Sequence, residues 1–148
     1  MSVHRNGRYY IGSISFVQPE IMAHVENGVP NHISCFFIDH YEVDFEVNIE
    51  VCYSRENAEK SMIETYYDYG LEPLGEVTSV SLNGYHGYYL DYLIKEYHTF
   101  RREFSFDLPD PFYNFLSITV ITQSKDELDR ALQCDIFKKL LESIRFEA

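Results

Sequence analysis

Tryptophan is absent from this chain of 148 residues, cysteine occurs only three times, and cations are half as numerous as carboxylates, 12 against 24. Each shortage excludes something. Cys35, Cys52 and Cys134 lie far apart, are odd in number and show no CxxC spacing, which argues against a disulfide framework, a zinc site or a redox pair. Reduced, buried thiols are expected. No apolar run reaches membrane-spanning length, and the opening MSVHRNGRYYIG lacks the charged-then-apolar order of a secretory signal. A cytoplasmic protein without membrane contact is expected. The formal net charge of -12 opposes a phosphate backbone as well as an anionic bilayer, so nucleic acid is excluded as a favoured partner.

The signatures of common chemistries are missing too. No GxGxxG or GxxxxGK[ST] cradles a phosphate, and no GxSxG presents a nucleophile. The six histidines include His24, His32 and His40 at intervals of eight, but no HxH, HxxxH or HExxH spacing that would assemble a metal site. No cofactor, no metal and no catalytic residue is expected, and the chain reads as a non-enzyme.

What is present is ordinary globular material, 45% hydrophobic and 24% charged, with no linker, repeat or low-complexity stretch. One domain over residues 1–148 is expected. Alternating or β-rich runs at about 9–17, 33–38, 41–53, 75–82, 85–95, 99–107 and 114–122 predict strands, mostly antiparallel neighbours. Asn83-Gly84 suits a tight hairpin, and Asp107-Leu108-Pro109-Asp110-Pro111 must be a loop because proline cannot donate to a ladder. A helix is predicted over 55–69, capped by Ser54, with Ala58, Met62, Tyr66 and Tyr69 as its apolar stripe and Gly70 as its stop. Ser124-Lys125-Asp126-Glu127 fits a capping box, after which apolar residues recur at helical spacing to Ile144, with Asp135 placed to break the helix midway. The fold class that follows is α+β, an antiparallel β-sheet of about six to seven strands with two main helices packed on it.

The element order, the ending FKKLLESIRFE with its amphipathic helix running into an extended tail, the early ISFVQPE and the segment NGYHGYYLDY resemble the PsbP-like superfamily. That group includes the extrinsic PsbP subunit of photosystem II, a Ran-binding import factor and bacterial DcrB-like proteins. The resemblance implies an accessory, binding or chaperone-like protein without shared catalytic residues. The chain departs from many bacterial relatives in lacking a lipoprotein signal.

Two features carry the functional expectation. The stretch 41–51, YEVDFEVNIEV, alternates strictly, with Glu42, Asp44, Glu46, Asn48 and Glu50 on one face of a strand and apolar residues on the other. Successive carboxylates stand about 6.5–7 Å apart, so one strand cannot cage a calcium ion unaided. They must be solvated or paired, and Lys95, Arg101 and Arg102 are the internal candidates. The stripe could also protect a sheet edge against aggregation. Residues 20–76 hold thirteen of the acids against only Arg55 and Lys60. The second feature is 13 Tyr and 11 Phe, with Tyr85, Tyr88, Tyr89, Tyr92 and Tyr97 crowding one strand and its turns. Half should build core; the rest can supply rigid contact area.

The expected function is protein binding by an acidic, Tyr-rich sheet surface comprising Glu42, Asp44, Glu46, Glu50, Tyr88 and Tyr92, with a basic protein as partner. An alternative is a small-ligand or enzyme pocket between sheet and helix near His86 and Tyr85, since glycines flank His86 closely. A homodimer joined through the sheet is a third expectation.

Overall fold

The computed structural model describes residues 3–5, 7–17, 22–26, 32–38 and 44–146, with side chains placed for 7–17, 32–34 and 45–146. Glu42 lies outside the described residues, and Asp44 enters by its backbone alone.

Three short strands come first: β1 (Val3–Arg5), β2 (Arg8–Ile11) and β3 (Ile14–Val17). Next are β4 (Met22–Glu26), β5 (His32–Ile38), β6 (Asp44–Cys52) and helix α1 (Ala58–Tyr66). A run of strands β7 (Leu71–Pro73), β8 (Thr78–Leu82), β9 (Tyr85–Ile94), β10 (Thr99–Asp107) and β11 (Phe115–Thr122) leads to α2 (Lys125–Gln133), α3 (Asp135–Ser143) and the terminal β12 (Arg145–Phe146). The large sheet has eight strands in the order β4-β5-β6-β11-β10-β9-β7, with β8 sharing the β7 side of β9. A small sheet runs β1-β2-β3-β12. Every pairing is antiparallel, so the expected α+β class is observed, with eight strands in the main sheet where about six to seven were expected.

The second sheet was not expected. The run 9–17 divides because Gly12, at φ +53, reverses the chain between Ile11 and Ile14, which then pair with each other. The position tolerates no side chain, since a Cβ there would stand 2.9 Å from Val51 Cγ1. The extended tail after α3 becomes β12 and closes this sheet against β3. Arg8, buried, ties the same sheet to the helices: it donates to Ser15 Oγ at 3.1 Å, to Ser15 O at 3.3 Å, and to the carbonyl of Ser143 at the end of α3.

The helices follow local chemistry, with the expected midway break near Asp135 and one correction, to the earlier helix. Ser124 caps α2 by accepting from the Glu127 N–H at 3.1 Å, as the capping box predicts. The long C-terminal helix is two, because Cys134 at φ -72, ψ 146 is extended and ends α2 as α3 begins. The earlier helix is shorter than 55–69. Asn57, not Ser54, caps it, its Oδ1 accepting from Lys60 N–H at 2.8 Å, while Ser54 is held by Asn114 instead. The helix ends at Tyr66 with Tyr67 as its cap, so Gly70 is not its stop and Tyr69, 98% exposed, is no part of its buried stripe. The Asn83-Gly84 hairpin is observed with φ +51 and +87, closing Leu82 on Tyr85.

Strict alternation gives the large sheet two different faces. On the back, Phe45, Val47, Ile49 and Val51 of β6 join Leu116, Ile118 and Val120 of β11 under α2 and α3. On the front, α1 seals a smaller core of Met62, Leu90 and Tyr92 over β9. Among the described residues no helix is long and apolar enough to cross a membrane.

Candidate functional site

Register decides which cations can meet the acidic stripe. Glu46 pairs with Ile121 of β11, Ile121 with Arg101 of β10, and Arg101 with Tyr92 of β9. The parallel rows are Asn48-Thr119-Glu103-Leu90 and Glu50-Ser117-Ser105-Tyr88. All of these share the front face, since directly opposed residues project to the same side. Arg102 alternates to the back, where it donates to Asp91, Nε to Oδ1 at 2.6 Å, and stacks over Tyr89. Lys95 reaches the Tyr69 carbonyl, at 3.5 Å. Of these three cations Arg101 shares the stripe's face, and it stands two strands from Glu46, roughly 10 Å at the backbone, while His32 of β5 is paired opposite Glu50.

Arg101 is also engaged locally, its Nε donating to Thr99 Oγ1 at 3.1 Å. Beside it, Tyr92 donates to Glu103 Oε1 at 2.9 Å. Burial raises the Glu103 carboxyl above its usual range, with Glu50 adding to the rise; the Tyr92 hydroxyl and Arg101 pull the other way. The acidity of Tyr92 is weakened in turn, by burial first and then by Glu103. Near the end of the stripe, burial and then the Glu50 charge push the Cys52 thiol up to about 11. Cys52 and Cys134 are half-buried thiols outside any disulfide, rather than sealed in the core.

Among the described residues the ion pairs are Lys60–Glu56, Arg102–Asp91, Lys125–Asp129 and Arg130–Asp126, and none reaches Glu46 or Glu50. Both carboxylates remain partly exposed, beside Asn48, Ser117 and Thr119. The edge-protection reading of the stripe does not hold, because β6 is paired on both sides, by β5 and β11.

The two tyrosines assigned to this surface behave otherwise. Tyr92 is 4% exposed and belongs to the core beneath α1, so it offers no contact area. Tyr88, half-buried, donates to Glu59 Oε2 at 3.0 Å and thereby fastens α1 to the sheet. His86 is exposed opposite Ser81, with its ring edge-to-face on Tyr88 at 5.0 Å, and Tyr85 is stacked on Phe146 at 3.9 Å. The stacking commits Tyr85 to the junction between the two sheets. Among the described residues no group of three His, Cys, Asp or Glu side chains is gathered closely enough to hold a metal.

A concave feature lies elsewhere on the front. Ile63, Tyr66 and Tyr67 of α1 and its cap face Glu76 and Val77 of the loop before β8, enclosing a groove of about 350 Å³. The Tyr66 and Tyr67 rings meet at 5.1 Å and 78°. Both walls are anchored. The Leu74 N–H donates to Asp91 O at 2.8 Å, the Thr78 hydroxyl donates to Glu76 O at 2.9 Å, and the Tyr67 N–H donates to Ile63 O at 3.3 Å. Ile63, Tyr67, Glu76 and Val77 were not singled out by sequence. The available signal was the run Tyr66-Tyr67-Asp68-Tyr69, which holds more tyrosine than one helical stripe can bury.

No family model and no curated protein matches this chain. A crystal structure at 1.50 Å of a protein from Bacteroides thetaiotaomicron VPI-5482 is similar, with a TM-score of 0.55 and 11% identity over 97% of this chain and 50% of that one. The chain thus spans half the length of that protein. Likeness at this level of identity carries the fold alone.

Proposed function

We propose that this chain is a non-enzymatic, cytoplasmic accessory or chaperone-like module that binds a basic protein partner through its acidic front face. The observation that carries the reading is the destination of the cations: Arg102 is taken by Asp91 on the opposite face, and Glu46 and Glu50 stay partly exposed in the middle of a sheet. The interior of a sheet is an expensive place for carboxylates unless water or a cation meets them. Packed α1 leaves that part of the face outside its own contacts with β7, β9 and β10. The resemblance to PsbP-like proteins motivates the same class.

The test compares native-lysate capture at low and high salt for the wild type and for a Glu46→Lys, Glu50→Lys double variant of matched thermal stability, identifying captured proteins by mass spectrometry. A basic protein retained only at low salt and only by the wild type supports the reading, since exposed-charge attraction is screened beyond about 10 Å at 0.1 M salt. Retention that ignores both salt and the substitutions sinks it.

A further inference from the structure

We propose that the groove between α1 and the 74–77 loop receives a lysine or arginine side chain of the basic partner, seated against the rings of Tyr66 and Tyr67 with Glu76 as its counter-charge. The inference rests on the preceding reading and adds the place and the chemistry of contact. Three observations favour a cation over an apolar plug or a second copy of the chain.

The first is ring geometry. Two tyrosines at 78° form two walls of a corner rather than a flat stack, and a cation over a ring face is attracted by the negative face of its π-system. Tyr67 is 73% exposed, so its ring is available, while backbone bonds at the helix cap fix its position. The second is composition. Ile63 and Val77 give apolar surface for the methylene stem of a long cationic side chain, and Glu76 supplies the negative end. A volume of about 350 Å³ accommodates such a side chain with part of its neighbour.

The third is charge complementarity. Residues 56–76 contain Glu56, Glu59, Glu64, Asp68, Glu72 and Glu76 against Lys60 as the one basic residue. The crowding is felt locally, because Glu64 has its carboxyl raised chiefly through a hydrogen bond with Glu56. A second copy of a chain with net charge -12 would bring more negative charge to this rim. A basic segment relieves it.

The experiment uses the full chain and an array of twelve-residue peptides containing lysine or arginine, each paired with its acetyl-lysine or citrulline counterpart. Binding is followed by fluorescence polarisation, with ring proton shifts of Tyr66 and Tyr67 as the local readout. Cationic peptides should bind and their neutral counterparts should not. Tyr67→Leu and Glu76→Gln should each weaken binding roughly three- to tenfold, whereas Tyr67→Phe, which keeps the ring face, should retain it. Tyr67 is exposed, so these variants leave the core untouched.

Peptides that bind equally well to Tyr67→Leu and Tyr67→Phe would overturn the groove assignment. If those peptides are instead lost with Glu46→Lys and Glu50→Lys, the acidic face binds the partner and the groove does not. Absence of salt-sensitive binding by any cationic peptide overturns both.

Discussion

Arg102 donates two hydrogen bonds to Asp91, Nε to Oδ1 at 2.6 Å and Nη2 to Oδ2 at 2.9 Å, across the β9–β10 pair on the face away from Glu46 and Glu50. The same guanidinium lies 4.0 Å from the centre of the Tyr89 ring. One side chain therefore neutralises a carboxylate, covers an aromatic face and removes itself from the surface where it was expected. The pair is mostly buried, at 23% and 15% side-chain exposure.

Removing one member should therefore cost more than a surface ion pair does. Asp91→Ala is expected to lower stability by about 2–3 kcal/mol, measured by urea denaturation, because it leaves a desolvated guanidinium without its acceptor. Arg102→Lys should fall close to the same loss, since an ammonium cannot reproduce two parallel bonds and the ring stack. A loss under 0.5 kcal/mol in both variants would show that the pair is energetically idle.

Gly87 sets a steric limit on the centre of the sheet. A Cβ at this position would stand 2.4 Å from Phe106 Cδ1 and 2.5 Å from the Ser105 carbonyl oxygen. Phe106 is fully buried and the carbonyl belongs to the ladder, so neither can yield cheaply. Gly87→Ala should destabilise by roughly 1–3 kcal/mol, against less than that for Gly75→Ala, where a Cβ meets nothing within 4 Å.

Glu103 should make stability depend on pH with an unusual sign for a carboxylate. Its folded pKa is raised, mainly by burial, so between the unfolded value of about 4.3 and the folded value the native state binds more proton than the unfolded one. Its contribution is fully favourable below about 4.3 and is lost as pH rises through the folded pKa. Glu103→Gln, which can still accept from Tyr92, should be more stable than the wild type at pH 7 and lose that advantage near pH 4. Denaturation midpoints of both proteins across pH 4–8 measure the difference; a less stable Gln variant at pH 7 would mean that Arg101 more than offsets the burial cost.

Cys52 should be a slow thiol. With its pKa near 11 against a reference of 9.0, the thiolate fraction at pH 8 is depressed roughly a hundredfold. Iodoacetamide labelling followed by peptide mapping should find Cys52 unmodified when a small-molecule thiol has reacted fully. Glu50→Gln should speed labelling, since it removes the second cause of the shift; an unchanged rate would assign the protection to burial alone.

Much of the fold was legible because its signals are local. The strict alternation of β6, the Asn83-Gly84 turn and the Ser124 cap each depend on residues within a few positions, and each is observed. The boundaries of α1 were misread because Ser54 and Asn57 are both competent caps: the Ser54 hydroxyl turns instead to the Glu56 N–H, at 3.2 Å, while its backbone is held by Asn114, sixty positions away. The small sheet was missed for the same reason: its closing strand is two residues long and finds its partner at the far end of the chain.

For the candidate site the division is sharper. Sequence alone fixed that β6 would carry apolar residues on one side and carboxylates on the other, because a strand alternates whatever surrounds it. It also fixed the excess of acid over base. It could not say on which face Arg101 and Arg102 would lie relative to Glu46, since that is set by the register of two intervening pairings. Nor could it separate Tyr92, sealed beneath Met62, from Tyr67, left in the open, because both are the same residue in the same kind of neighbourhood until α1 settles on the sheet. Burial and cross-strand opposition are properties of the assembled molecule, and they decided which charges were answered and which aromatic rings faced solvent.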